Sequence, residues 1–221
     1  MELIGVVGFI GSGKGTVGDI LASEYGYEKL SFAGKLKDAV SVMFNWDRAM
    51  LEGDTSKSRN DREVMDEFWS KKFNKTITPR YILQFMGTEV IRNNLHENFW
   101  IDALENSLQK NKKYVITDVR FPNEMEMVKQ NGGKLVWVKR GPDPEWFEAA
   151  RFQNRDRKDK YGDVDFGIPS KWEDKIPVHE SEWKWIRDES YYDMVIDNNG
   201  SLEQLHEKIK ILGTNGINTK P

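Results

Sequence analysis

The chain has 221 residues, a formal net charge of −3, a pI of about 5.8 and no cysteine. Disulfides and thiolate metal sites are therefore excluded, and no basic excess indicates a nucleic-acid groove. No apolar run approaches the roughly 18 residues that span a membrane, and the chain begins with an apolar strand instead of a signal peptide. We expect a cytoplasmic protein with a single domain over residues 1–221.

The first pattern that predicts chemistry is a glycine-rich turn between a strand and a helix. Residues 3–7 are apolar and predict a buried strand, and Val17, Ile20 and Leu21 recur at helical spacing. Glycines in the turn let backbone N–H groups face an anion, and the helix adds its positive N-terminal end. This order predicts a phosphate-binding loop. Its expected nucleotide-binding residues are Gly11, Ser12, Gly13, Lys14, Gly15 and Thr16.

Two side chains of this loop have specific expected roles. Lys14 reaches the β- and γ-phosphates of a bound nucleotide. Thr16 binds a phosphate or contributes to a magnesium shell, but it stands one place later than usual because Gly15 follows Lys14. The Gly-Lys-Gly-Thr ending is more similar to nucleoside monophosphate kinases than to GTPases. The sequence also lacks the Asn-Lys-x-Asp block with which a GTPase reads guanine.

Along the rest of the chain, predicted strands alternate with predicted helices. This alternation implies an α/β fold with a mostly parallel sheet that is covered by helices on both faces. Ligands of such sheets bind beyond the carboxyl ends of the strands, where the loop, Asp118 and Arg140 are expected to converge. The further strands are predicted at 27–32, 114–117, 134–139 and 192–196, and the helices at 33–44, from Pro79 through Val90, at 98–110, at 122–130 and after Ser201.

Two long segments interrupt this alternation. Residues 46–75 are charged and irregular, which predicts a surface insertion whose Arg59 and Arg62 are solvated, or else belong to a mobile loop on the substrate side. Residues 141–190 combine prolines, glycines, arginines and tryptophans between two core strands. Kinases close such segments as lids that exclude water and bring arginines to the transferred phosphoryl group. The catalytic candidates on this side are Arg140 and Arg151.

Polar residues at a strand end and on a helix face are candidates for substrate binding. Asp118 is expected to contact magnesium through water, to accept from a substrate hydroxyl, or to cap the next turn and pair with Arg120. The planar guanidinium of Arg120 suits a monophosphate. Arg80, Gln84 and Thr88 are spaced for one helix face, where a glutamine amide suits a base edge and an exposed polar face is the alternative.

Together these motifs resemble the bacteriophage-type deoxynucleoside monophosphate kinases, a branch of the P-loop superfamily. The resemblance covers residues 2–32, 79–140 and 179–212 and leaves 45–78 unmatched. It implies a P-loop kinase fold that transfers the γ-phosphate of ATP, with Mg²⁺, to a deoxynucleoside monophosphate. The motifs that carry it are Ser12-Gly13-Lys14-Gly15-Thr16, Arg80-Tyr81-Ile82-Leu83-Gln84-Phe85-Met86-Gly87-Thr88, Trp100, Asp118-Val119-Arg120 with Glu124, His179 with Glu182, and Asn199-Gly200-Ser201-Leu202-Glu203.

The resemblance also implies roles for single residues. Lys14 and the lid arginines stabilise charge on the transferred group, and Arg80 and Arg120 hold the acceptor phosphate. No general base is needed because that phosphate is already an anionic nucleophile. Thr16 and Asp118 are the metal candidates. The implied substrate-binding residues are Arg80, Gln84, Thr88, Trp100, Asp118, Arg120, Glu124, His179 and Glu182.

Two other functions stay open at this stage. A P-loop kinase of a nucleoside or coenzyme precursor would need a base for the acceptor hydroxyl, and Asp118 suits that role. A nucleotide-dependent switch would hydrolyse nucleotide without an acceptor. The long apolar faces of residues 79–110 allow a homodimer. If the chain is of phage origin, its compartment is the host cytoplasm.

Overall fold

The computed structural model describes residues 1–53, 55–154 and 176–214. The chain divides into two compact units, which we describe separately. The sheet unit comprises Met1–Leu30 and Gln109–Pro221, and the helical unit comprises Ser31–Leu108.

The sheet unit is built on parallel strands, as predicted. Among its described residues the strands are β1 (Glu2–Val7), β2 (Glu28–Leu30), β3 (Lys113–Ile116), β4 (Lys134–Lys139) and β5 (Met194–Asp197). They pair in parallel in the order β2-β3-β1-β4-β5. The second strand is shorter than the predicted 27–32 because it lies at the sheet edge and pairs only with β3.

Short helices connect and surround these strands. None of the helices in the described ranges is long and apolar enough to cross a lipid bilayer. A π-helical segment, Phe85–Arg92, continues α6. The helices in chain order are α1 (Lys14–Tyr25), α2 (Gly34–Phe44), α3 (Arg48–Glu52), α4 (Ser56–Asp61), α5 (Glu67–Phe73), α6 (Pro79–Gln84), α7 (Phe99–Glu105), α8 (Pro122–Gln130), α9 (Phe147–Gln153) and α10 (Leu202–Thr214).

Helices cover both faces of the sheet. Side chains alternate along a strand, so Ile4 and Val6 of β1 share one face, where they join one buried cluster with residues of α1 and α10. Gly5 lies on the other face, and a Cβ added there would stand 3.0 Å from Val128 of α8. The absence of a side chain at Gly5 lets α8 approach the sheet closely. The predicted fold class, a parallel α/β sheet covered on both faces, is confirmed.

The helical unit has its own apolar core. Leu36 and Val40 of α2, Leu51 of α3, Ile82 of α6 and Trp100 of α7 are buried together there. The Trp100 indole N–H donates to the carbonyl of Gly87 at 3.0 Å, so it also anchors the π-helical segment. Burial of these side chains stabilises the unit through the hydrophobic effect.

Residues 46–75, which show no regular pattern in the sequence, form short helices in the structure, and their role as an insertion stays a prediction. This segment forms α3, α4 and α5, whose N-caps are Asp47, Thr55 and Asp66. Each cap side chain accepts a hydrogen bond from a backbone N–H in the first turn of its helix. Helices of five to seven residues show too few turns for apolar periodicity to appear in the sequence.

The helix predicted from Pro79 changes its winding after one and a half turns. The segment is α-helical up to Gln84 and π-helical from Phe85 to Arg92. A π-helical turn closes on the fifth residue instead of the fourth, so Thr88 is shifted from the face that an α-helical register would give it. Arg80 and Gln84 keep their α-helical spacing of one turn.

Candidate active site

The loop between β1 and α1 has the backbone of a phosphate-binding turn. Gly8 and Gly13 have φ angles of 147° and 99°, which side chains other than glycine rarely adopt. A Cβ on Gly8 would lie 2.4 Å from the carbonyl oxygen of Val138, and one on Gly13 would lie 2.3 Å from Nδ2 of Asn198. The loop is therefore packed so tightly against neighbouring strands that only glycine fits at these two positions.

The polar side chains of the loop point to an anionic ligand. Lys14 Nζ donates to the carbonyl oxygens of Gly8 and Phe9 at 2.7 and 2.8 Å, so the ammonium folds back over the loop. The Oγ atom of Ser12 is buried and has no hydrogen-bond partner among the described residues. A buried hydroxyl without a partner costs free energy, which a bound phosphate oxygen would offset. These groups fit the phosphates of a nucleotide.

Four charged side chains from distant parts of the sheet unit come together at this loop. Burial and the nearby Arg120 guanidinium lower the pKa of Lys14 to about 8, whereas Glu182 and Asp118 oppose the shift. Arg120 Nη1 pairs with Glu182 Oε1 at 2.6 Å. Asp118 and Arg120 follow β3 directly, which brings them to the carboxyl edge beside the loop. The structure thus places Asp118 and Arg120 near Lys14, and their roles as site residues stay predictions.

The lowered pKa predicts that affinity for ATP falls above pH 8. Lys14 loses its proton as the pH rises through about 8, and only the charged form attracts phosphates. ATP binding without an acceptor should therefore weaken about tenfold between pH 7 and pH 9, with proton uptake at the higher pH. Titration calorimetry in two buffers of different ionisation enthalpy measures both quantities.

The Lys14→Ala variant serves as the control for this titration, since it should bind ATP weakly and equally at both pH values. A pH-independent affinity of the unaltered chain would contradict the prediction. The lowered pKa of Lys14 changes folding stability with pH in the opposite direction to ATP affinity. Because the unfolded chain holds this proton up to pH 10.5, the lowered pKa adds stability as the pH rises from about 8 towards 10.5.

Glu124 holds the backbone that presents Arg120. Its Oε2 accepts hydrogen bonds from the N–H groups of Arg120 and Phe121, at 2.7 and 3.1 Å, at the start of α8. The side chain is only 3% exposed. These bonds account for the burial of a carboxylate at this place. A direct contact of Glu124 with substrate stays a prediction.

The lid-side candidates are less closely tied to the loop. Arg140 follows β4 and is exposed. Arg151 on α9 pairs with Glu148 at 2.5 Å and with Asp188 at 3.3 Å. Their catalytic roles stay predictions. Residues 155–175 of the predicted lid, with Arg155, Arg157 and Trp172, lie outside the described residues.

His179 lies beyond that segment and takes part in a local cap. Its Nδ1 accepts a hydrogen bond from the N–H of Ser181 at 3.2 Å, at the start of a 3₁₀ turn over Glu180–Glu182. The ring is exposed. This turn brings Glu182 to Arg120. Glu182, one of the two residues that carry the resemblance in this region, therefore lies near the loop. A substrate contact of His179 stays a prediction.

An aromatic cluster fixes the loop from the side, and sequence reasoning missed it. The ring of Phe9 packs edge-on against Trp146, Phe147 and Trp185, with centroid distances of 5.6, 6.2 and 5.0 Å. Trp146 and Trp185 belong to residues 141–190, the predicted lid, and contact the loop itself. The concentration of tryptophan in this segment was the available signal.

Asn198 fixes the loop from behind and was also missed. Its Nδ2 donates to the carbonyl of Ser12 at 2.8 Å, and its own N–H donates to the carbonyl of Lys139 at 2.7 Å. The side chain is 9% exposed. In the sequence, Asn198 belongs to an Asp-Asn-Asn-Gly run that reads as an ordinary turn. Only its position after β5, beside the phosphate loop, distinguishes it.

Three of the candidates in the helical unit are exposed, although the π-helical winding shifts Thr88 from the face of the other two. Arg80, Gln84 and Thr88 are exposed, and Arg80 pairs with the carboxylate of Glu63. Trp100 is buried in the core of the unit, as the apolar nature of its ring favours. Its contact with a substrate stays a prediction.

The chain matches the family model of the deoxynucleotide monophosphate kinases over residues 47–146. The chain is similar to these kinases over that range. The resemblance read from the motifs is thereby confirmed, and its extent is corrected. Residues 45–78, which the motifs left unmatched, fall mostly inside the matched range. Their short helices offered no motif that could be recognised from one sequence.

Two similar proteins carry the name of the same enzyme. A deoxynucleotide monophosphate kinase of Acanthamoeba polyphaga mimivirus is 28% identical over 222 residues, which cover 95% of this chain and 94% of the mimivirus protein. The deoxynucleoside-5'-monophosphate kinase of Escherichia phage T5 is 48% identical over 56 residues, which cover 24% of this chain and 22% of the phage protein. The first match is long, whereas the second is short and close.

Solved structures of other kinases resemble the chain only distantly. Shikimate kinase from Aquifex aeolicus is 15% identical with a TM-score of 0.41, over 97% of this chain and 96% of that one. Dephospho-CoA kinase from Campylobacter jejuni is 18% identical with a TM-score of 0.39, over 96% and 95%. The fold class rests on the parallel sheet and not on these scores.

Proposed function

We propose that the chain is an ATP-dependent kinase that converts deoxynucleoside 5'-monophosphates to diphosphates. The observation that carries this proposal is the group formed by Lys14, Asp118, Arg120 and Glu182 around a glycine-rich loop with an unsatisfied buried hydroxyl. The match of residues 47–146 to the deoxynucleotide monophosphate kinases supports the choice of acceptor.

Catalysis of this transfer depends on position and positive charge. The loop N–H groups and Lys14 bind the β- and γ-phosphates of ATP, and Lys14 exchanges its contacts with two loop carbonyls for phosphate oxygens. Arg120 exchanges Glu182 for a phosphate oxygen of a bound nucleotide. A deoxynucleoside monophosphate brings its own anionic nucleophile, so no side chain has to remove a proton.

Thr16 and Asp118 are the residues that we propose to hold Mg²⁺. A hydroxyl and a carboxylate are oxygen ligands, which this ion prefers, and magnesium in kinases uses one or two protein ligands and several phosphate oxygens. The described residues contain no group of three or more acidic or histidine side chains that would hold a metal alone. Bound there, the ion would neutralise charge on the β- and γ-phosphates.

Release of ADP from ATP and Mg²⁺ tests this function against a panel of deoxy- and ribonucleoside monophosphates and the matching nucleosides. Turnover only with monophosphates is expected. Turnover with nucleosides would instead indicate a kinase that phosphorylates a hydroxyl group, with Asp118 as the base that removes its proton. ADP release without any acceptor would indicate a switch.

Gln84→Ala is expected to change which bases are accepted. Gln84 is exposed one turn from Arg80, and its amide both donates and accepts hydrogen bonds to a base edge. The ratio of kcat/KM between preferred and poor monophosphates should fall about tenfold, with the KM for ATP unchanged. Gln130→Ala, on an exposed face of α8, is the matched control. An equal loss with every monophosphate would show that Gln84 does not read the base.

The location and assembly belong to the same proposal. ATP and nucleoside monophosphates are cytoplasmic metabolites, and we place the enzyme there, in the host cytoplasm for a phage protein. A homodimer stays a prediction from the apolar faces of residues 79–110, and sedimentation velocity of the full chain measures it.

A further inference from the structure

Two arginines of the helical unit, Arg59 and Arg62, have no role in the site described so far. Arg59 lies in α4, Arg62 directly follows that helix, and Arg80 is the second residue of α6. The N–H of Arg80 donates to the carbonyl of Arg62 at 3.0 Å. This bond holds the backbones of Arg62 and Arg80 side by side. Arg62 therefore has a fixed place beside a residue that is already a candidate for the acceptor phosphate.

Arg62 is half-buried, whereas the sequence prediction was a solvated side chain or a mobile loop on the substrate side. Its side chain is partly buried, and its Nε atom has no hydrogen-bond partner among the described residues. A Cβ on Gly53 would stand 2.0 Å from Nη2 of Arg62, so the guanidinium fills the space that a side chain would occupy. Gly53 has a φ of 67°, which glycine adopts without strain.

The charges around Arg62 do not balance it. Burial lowers the pKa of Arg62, the positive charges of Arg80 and Arg59 lower it further, and Glu63 and Glu52 oppose the shift. Glu63 is paired with Arg80. Glu52 is paired with Lys37 and Arg48. A buried N–H donor next to like charges costs free energy unless an anion compensates it.

We propose that Arg62 and Arg80 together bind a phosphate monoester. Resting on the proposed function, this phosphate is that of the deoxynucleoside monophosphate. Two planar guanidinium groups offer paired N–H donors, which match the oxygens of a dianionic phosphate better than a single carboxylate. Gln84, the candidate for reading the base, lies one turn beyond Arg80 on α6.

The role of Arg59 is secondary. Its Nη1 lies 3.5 Å from the carbonyl of Gly53, and its Nη2 lies 3.3 Å from Oγ of Ser56. These contacts hold it to its own helix and to the Gly53 turn. Arg59 therefore adds positive charge near Arg62 without a comparable unsatisfied donor.

Calorimetric titration of the full chain without ATP tests the proposal. The probes are the deoxynucleoside monophosphate that the chain binds most tightly and the matching deoxynucleoside. We expect Arg62→Met to weaken monophosphate binding about 10- to 100-fold and to leave the weak binding of the nucleoside unchanged. Arg62→Lys keeps the charge but loses the planar guanidinium. Its affinity for the monophosphate should therefore lie between that of Arg62→Met and that of the unaltered chain.

Lys57→Met is the matched control for charge. Lys57 lies on the same short helix, its side chain is 85% exposed, and its removal takes away one positive charge. The affinity of Lys57→Met for the monophosphate should stay within about twofold of that of the unaltered chain. The midpoint of thermal unfolding of each variant shows whether the fold is intact, and Arg62→Lys keeps the test decisive if Arg62→Met unfolds.

The outcomes separate this inference from the proposed function. If the chain phosphorylates monophosphates and neither Arg62 variant weakens their binding, the inference is wrong and the function stands. If Arg62→Met weakens monophosphate binding but the chain transfers no phosphoryl group to any acceptor, the inference stands and the function is wrong. A chain that binds no phosphate monoester overturns both.

Discussion

Lys14→Ala is expected to lower kcat/KM for phosphoryl transfer about a thousandfold. The ammonium is the only side-chain cation of the loop sequence, residues 8–16. It already lies over the loop, where it donates to the carbonyls of Gly8 and Phe9. Its charge is needed most when negative charge shifts between the phosphates in the transition state, so kcat should fall more than KM rises.

The fold should survive this change. Burial penalises the charged form of Lys14, as its lowered pKa of about 8 shows, so alanine removes a desolvation cost together with two hydrogen bonds. The midpoint of urea unfolding should stay close to that of the unaltered chain. Lys71→Ala, at an exposed position of α5, is the control for both readouts. Turnover that is unchanged in Lys14→Ala would refute the assignment of the phosphate loop.

Gly13→Ala is the second change for which we expect a large effect, in both stability and activity. The residue has a φ of 99°, and an alanine Cβ would meet Asn198 Nδ2 at 2.3 Å. A left-handed conformation costs a non-glycine residue about 1–2 kcal/mol, before any cost of the collision. The N–H groups that face a phosphate would shift as well, so kcat/KM should fall at least a hundredfold.

Gly15→Ala is the control for stability. Its Cβ would meet nothing within 4 Å, and the position lies in the first turn of α1, so alanine should be neutral or stabilise the fold by up to about 1 kcal/mol. Urea unfolding of both variants measures the difference. If Gly13→Ala and Gly15→Ala have the same stability, the described conformation of the loop is wrong.

A second pair of variants isolates the collision at Gly13. Asn198→Ala removes the amide that an alanine at position 13 would strike, at the expense of the hydrogen bond to the carbonyl of Ser12. In this background Gly13→Ala should cost less unfolding free energy than in the unaltered chain, because only the backbone strain remains. Additive costs would mean that Asn198 does not press on the loop.

Much of the fold followed from local pattern. The apolar run at residues 3–7 and the glycines after it predicted β1 and the phosphate loop, because a buried parallel strand and a tight turn depend on neighbouring residues. The strand before Asp118 and the helix that begins at Pro122 were predicted for the same reason. Arg120 and Asp118 could be named as candidates because they follow a strand directly.

Other features were invisible to local pattern. The helices α3 to α5 are too short to show periodicity, and their caps are common turn residues. The π-helical winding after Gln84 depends on packing in the core, where the indole of Trp100 reaches the carbonyl of Gly87. Neither the winding nor the shift of Thr88 is encoded in an apolar stripe, which fits both helix types.

The sequence by itself determined the class of the protein: a phosphate loop between a buried strand and a helix, in a chain whose motifs resemble deoxynucleoside monophosphate kinases. The tertiary structure decided which side chains act on one another. Arg120 pairs with Glu182, and Asn198 bonds to the carbonyl of Ser12, 186 positions away. Asn198 and Ser12 meet because the parallel strands β5 and β1 bring their carboxyl ends to one edge, a relation between distant segments that no spacing along the chain records.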